Sequence, residues 1–101
     1  PAQAIKAALA KANLAVEDVD LFELNEAFAA VGCQSMNDLG ISDDIVNVNG
    51  GAIAIGHPVG VSGTRIVLTL LNELQRRGGG TGAAALCGGG GQGDAMIVRT
   101  V

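Results

Sequence analysis

Four consecutive glycines, Gly88 to Gly91, constrain this chain more than any other feature. They join two apolar, strand-like segments, Gly82 to Cys87 and Asp94 to Val101, and a link this short holds no crossover helix. The two segments are therefore expected to be antiparallel neighbours. Glycine recurs throughout: the 101 residues contain 16, against only two aromatic side chains, Phe22 and Phe28. A core built from Ala, Val, Ile and Leu with so many glycines implies backbones that approach closely. Residues 1–101 are expected to form one domain, a length that buries roughly 60 to 70% of the surface of its unfolded chain.

Upstream, hydrophobic periodicity sets the elements. Ile5, Ala8, Leu9 and Ala12 fall on one face, which predicts an amphipathic helix from Ala2 to about Lys11, ending near Asn13. Leu21 to Leu24 reads as a short strand, and Asn25 stands where it would cap a helix running to about Asp38, stopped by Leu39-Gly40. Ile45 to Val48 is β-branched and alternating, hence a strand, and Gly50 to Gly56 either continues extended or turns back as a loop. Ser62 is expected to cap a third helix with Ile66, Val67, Leu70, Leu71 and Leu74 inward, Glu73 four residues before Arg77, and Gly78 as its stop. This order predicts an α/β domain in which helices cover a mostly parallel sheet with one antiparallel edge strand.

Charge and composition exclude several classes. A net charge of −4, with no basic cluster beyond Arg76-Arg77, argues against nucleic acid as a partner. The uncharged stretch Ile45 to Thr64 contains five glycines, Pro58, His57 and two asparagines, so it reads as strand and loop rather than a membrane span. No secretory leader is read at the start, and two cysteines without one suggest reduced thiols in the cytoplasm.

Three side chains share one expected address. Asn25 follows a strand, His57 follows the segment that begins at Ile45, and Cys87 ends another strand, and open α/β sheets bind ligands outside the carboxyl ends of their strands. A Cys and a His without metal-ligand spacing suit thiol acid/base or nucleophilic work. Asn25 could fix a water or donate to an oxyanion, and Gly88 to Gly91 expose backbone N–H groups suited to an oxyanion hole. Each has a plain structural alternative: Asn25 as a helix cap, His57 in a Gly-His-Pro turn, Cys87 as a small core residue, and Cys33 as a packed mid-helix thiol. Gly88, Gly90 and Gly93 match G-x-G-x-x-G, but the following segment reads as a strand rather than a helix, so a dinucleotide site is rejected. Gly56 to Gly63 lacks the Gly-Lys-Ser/Thr of a phosphate loop.

Asn25-Glu26-Ala27-Phe28, then Asn47 through Pro58, Ser62-Gly63-Thr64-Arg65 and Leu86 through Gly90 resemble, in order and spacing, the carboxyl-terminal signatures of the thiolases. The resemblance covers essentially the whole chain. It implies the carboxyl-terminal half of a thiolase-like fold, lacking the first strand of that half, a strand placed centrally. It also implies reversible condensation of acetyl-CoA or thiolysis of 3-ketoacyl-CoA through a cysteine acyl-enzyme.

Under that resemblance Cys87 is similar to the acid/base cysteine. His57 resembles the histidine that activates the nucleophile and donates to the enolate oxygen, and Asn25 the residue that fixes the water of that oxyanion hole. The N–H of Gly89 resembles half of a second hole, and Phe28 a wall of the acyl pocket. Coenzyme A thioesters are implied as substrates, with no tightly bound cofactor and no metal. An amino-terminal thiolase domain and a homo-oligomer are the implied partners, and residues 1–101 alone are expected to be inactive. The competing readings are a related condensing enzyme and a non-catalytic acyl-CoA-binding or assembly subunit.

Overall fold

The computed structural model describes residues 1–101. Helix α1, Ala2–Ala12, buries Ala2, Ile5 and Leu9 and closes on Asn13, whose left-handed backbone (φ 54°) lets its N–H reach the carbonyls of Ala10 and Leu9. Strand β1, Leu21–Leu24, is buried at all four positions. Helix α2, Ala29–Leu39, ends on left-handed Gly40 as expected. The short helix α3, Ala52–Ile55, precedes α4, Ser62–Arg76. Strands β2, Gly80–Gly88, and β3, Gln92–Thr100, complete the chain.

The sheet has the order β1-β2-β3. β1 runs parallel to β2 with Leu21 opposite Gly82 and Leu24 opposite Ala85. β3 is the antiparallel edge strand required by the glycine link, with Gly88 opposite Gln92 and Gly80 opposite Thr100. Because side chains alternate along a strand, the sheet builds two cores. Phe22, Leu24, Ala83 and Ala85 pack with Ile5 and Leu9 of α1 and Leu39 of α2. Leu21 and Ala84 pack with Ile66, Leu70 and Leu74 of α4 on the other face.

The close approach anticipated from the glycines is concrete at Gly82. A Cβ there would stand 2.7 to 2.8 Å from the branched end of Leu70, so α4 sits on the sheet where no side chain intervenes. At the other end of α4, buried Glu73 accepts hydrogen bonds from Arg76, Arg77 and Asn49. These donors hold its carboxyl well below the usual carboxylate range.

Four expectations are corrected. Asn25 does not cap α2, because its N–H continues the β ladder to the carbonyl of Ala85 (2.9 Å) and keeps it extended; the helix starts after Phe28. Ile45 to Val48 forms no strand, only a single parallel bridge of Val46 to Phe22. The reason is Asn47, which turns left-handed (φ 48°) and uses its side-chain amide to bond both the N–H and the C=O of Leu24 at 2.8 Å. That amide replaces the next rung of the ladder, and Gly50 to Gly56 then coils into α3 instead of extending.

Ser62 is the first residue of α4 rather than its cap, and its hydroxyl is engaged elsewhere. Within the chain, β1 and β2 pair directly, with no strand between them.

Candidate active site

Parallel β1 and β2 present their carboxyl ends at one edge of the sheet, and the candidate side chains are held there. Asn25 leaves β1 fully buried, at 0% exposure, and its Nδ2 lies 3.4 Å from Nε2 of His57. The second ring nitrogen, Nδ1, is 2.5 Å from the hydroxyl of Ser62. Pro58 shapes this contact: its carbonyl accepts the N–H groups of Val61 and Ser62, a turn that returns Ser62 to His57. The Ser62 hydroxyl donates its one proton to the Pro58 carbonyl at 3.2 Å, so it accepts from Nδ1–H of the imidazole. The lone pair of neutral His57 is thereby held at Nε2, the nitrogen toward Asn25.

Asn25 Oδ1 is buried without a partner in the chain. Such an atom is costly unless a donor comes from outside.

Cys87 is the penultimate residue of β2, at the same edge of the sheet. Leu86 before it packs with α4, so the thiol turns to the other face, where it lines an open crevice of about 430 Å³ with Pro1, Gln3, Ala4 and Gly93. It makes no hydrogen bond to His57 or Asn25; the structure joins those two directly and Cys87 only by its place at the edge. Gly89 lies in the β2–β3 link, where an added Cβ would meet nothing within 4 Å and the backbone is not left-handed. Packing within the chain thus gives no reason for glycine at that position. Phe28 is 75% exposed, with Ile53, Ile55, Val59 and Val61 also exposed. Cys33 is exposed on α2. No group of three or more His, Cys, Asp or Glu side chains is arranged to hold a metal ion.

Beneath Asn25, Glu23 faces α4 and bonds Arg65 at 3.1 Å. Burial pushes its carboxyl from an ordinary 4.5 up to about 7, with Arg65 offsetting only part of the shift. A carboxyl raised on folding binds its proton more tightly in the folded state, so its contribution is full below pH 4.5 and is lost as pH rises through about 7. Thermal melts across this window are expected to show stability falling with pH, and Glu23→Gln to flatten that fall. An unchanged slope in the variant would contradict the assignment.

Residues 1–100 match the family model described as "Thiolase, C-terminal domain". The chain belongs to this thiolase family. Among its relatives, the probable acetyl-CoA acetyltransferase of Mycobacterium leprae is 59% identical over 101 residues, covering 100% of this chain and 26% of the relative. The cytosolic acetyl-CoA acetyltransferase of Rattus norvegicus is 59% identical over 99 residues, 98% of this chain and 25% of the relative. The crystal structure of the Bacillus anthracis acetyl-CoA acetyltransferase superposes with a TM-score of 0.96 at 44% identity, covering 100% of this chain and 26% of that one. This thiolase domain therefore spans about a quarter of the length of the proteins it matches, and the α/β, thiolase-like fold expected from the sequence is the fold observed.

The contact of Ser62 with His57 escaped sequence reading. Its signal was the His57-Pro58 step followed by Ser62 one helical turn later, a spacing that brings the hydroxyl back to the ring.

Proposed function

We propose that these residues are the carboxyl-terminal quarter of an acetyl-CoA acetyltransferase that exchanges acyl groups between coenzyme A thioesters through a cysteine acyl-enzyme. The observation that carries this reading is the Asn25–His57–Ser62 chain of contacts at the strand ends, within a stretch 59% identical to relatives named for that activity. In this mechanism a cysteine from the amino-terminal part of the polypeptide gives its proton to His57 Nε2 and attacks the thioester carbonyl. The new C–S bond forms as the bond to the coenzyme A sulfur breaks, and the leaving coenzyme A sulfur takes the proton of the Cys87 thiol, which leaves Cys87 as the thiolate and His57 protonated.

In the condensing direction the Cys87 thiolate takes an α-proton from a second acetyl-CoA, and the C–H electron pair becomes an enolate. Its oxygen is met by N–H of the protonated His57 and by a water fixed by Asn25. The enolate carbon then attacks the acyl-enzyme carbonyl and releases the cysteine sulfur. In thiolysis Cys87 instead takes the proton of the coenzyme A thiol. The unpartnered Oδ1 of Asn25 supports the fixed water, and glycine at 89, where the chain's own packing does not require it, supports close approach of an oxyanion to that N–H. Donors placed at a developing oxyanion are worth about 10² to 10³ in rate apiece.

Phe28 and the apolar residues exposed with it support a surface covered by the acyl group and by the amino-terminal domain. Residues 1–101 form one domain in this reading, with coenzyme A thioesters as substrates, no tightly bound cofactor, and assembly of the longer polypeptide into a homo-oligomer. A place in cytoplasmic fatty acid metabolism fits the cytosolic relatives in rat and mouse. No helix of the chain is long and apolar enough to cross a membrane.

Acetoacetyl-CoA cleavage in the presence of coenzyme A tests the proposal. The longer polypeptide is expected to turn over and the isolated residues 1–101 are not, because the acyl-accepting cysteine lies outside them. No turnover by the longer polypeptide, or full turnover by the isolated residues, would overturn it.

A further inference from the structure

The segment from Gly50 to His57 is anchored sparingly. Its backbone hydrogen bonds are local, from Gly50 to Asn47 and among Gly51, Ala52, Ala54, Ile55 and Gly56. Before His57 itself, one side chain from elsewhere reaches it: Glu26, whose Oε1 accepts the N–H of Ile53 at 3.2 Å. The same carboxylate lies over Gly51, where an added Cβ would collide with Glu26 Oε1 and Cδ and approach Asn47 Nδ2 to 2.9 Å. Gly51 has an ordinary φ of −111°, so glycine is needed there for space and not for conformation. Two adjacent residues at the end of β1 thus grip two ends of one short segment. Glu26 holds its entry and Asn25 meets its exit at His57.

We propose that Glu26 is a positioning residue for the reaction: by fixing the α3 turn over Gly51 it sets where the His57 imidazole stands against Asn25. The proposal rests on the function read above. An imidazole displaced by about 1 Å costs up to about 10²-fold in rate. The carboxylate itself touches no reacting atom, so the effect falls on kcat while KM is kept.

The test uses the longer polypeptide, with steady-state kinetics of acetoacetyl-CoA thiolysis across pH. Glu26→Ala is expected to lower kcat about 10- to 100-fold and keep KM. Glu26→Gln, which keeps an acceptor oxygen, is expected to restore most of the loss. Gly51→Ala is expected to lower kcat in the presence of Glu26 and to add less to Glu26→Ala than it costs alone, because only the contact with Asn47 Nδ2 at 2.9 Å then remains. Full kcat in Glu26→Ala, or additive losses in the double variant, would overturn the proposal.

Should Glu26→Ala fail to fold, unchanged kcat in Gly51→Ala or a lost kcat in Glu26→Gln would overturn it instead. His57→Ala measured alongside separates the two levels. Loss with His57→Ala but not with Glu26→Ala sinks the positioning role alone, whereas no loss with His57→Ala sinks the function.

Discussion

Replacing Cys87 with alanine in the longer polypeptide is expected to lower turnover about 10² to 10⁴-fold, the usual contribution of a positioned acid or base. The α-proton of a thioester is far less acidic than a thiol, so in the proposed mechanism its removal slows by about that factor without the base at the sheet edge. Under the proposed mechanism the acyl-enzyme is still expected to form, because its cysteine and His57 are untouched. Labelled acetyl-CoA should therefore leave its acetyl group on the protein of the variant, with almost no acetoacetyl-CoA released. Cys33→Ala is the control, since that thiol is exposed on α2 and touches none of these groups. Unchanged turnover in Cys87→Ala would favour a non-catalytic role for these residues within the longer polypeptide.

The largest effect on stability is expected from Phe22→Ala. Phe22 is 1% exposed, the bulkiest side chain of the core, in a chain with one other aromatic residue. It packs with Ile5, Leu9 and Leu39, and its backbone carries both the ladder to Ala83 and the lone bridge to Val46. A cavity of that size costs about 3 to 5 kcal/mol, against a total of roughly 5 to 15 kcal/mol for a domain. These aliphatic neighbours lie on two separate helices, α1 and α2, and cannot close the space together. Urea denaturation followed by far-ultraviolet circular dichroism reads the change, and a loss under about 1 kcal/mol would contradict this account of the core.

What was legible in the sequence was whatever a local pattern dictates. The helical spacing of Ile5 and Leu9, or of Ile66, Leu70 and Leu74, belongs to one helix each, and the Gly88 to Gly91 link settles the antiparallel edge without reference to anything else. Two of the misreadings involve a polar residue whose partner is far along the chain. Asn25 looks like a cap because asparagine caps helices well, yet its N–H is claimed by Ala85, 60 residues on. Ile45 to Val48 has strand composition, but Asn47 bonds Leu24, 23 residues back, and ends the pairing after one bridge.

At the site, residue type and order named Asn25, His57 and Cys87, while sequence could not show that Ser62 leaves the helix terminus for the imidazole. Nor could it show that Glu26 fills the space above Gly51.

The seat of α4 on Gly82 acts as a fulcrum. Leu70 rests on bare backbone there, and Ser62 lies eight residues earlier on the same rod, about 12 Å away at the rise of an α-helix. With Ile66 and Leu74 packed on the same face of the sheet, the contact at Gly82 helps to set the height of that rod along its length. The missing side chain at Gly82 therefore gauges how deeply the Ser62 hydroxyl sits beneath the imidazole, and a change of one methyl group in the core is transmitted to a proton-carrying nitrogen it never touches.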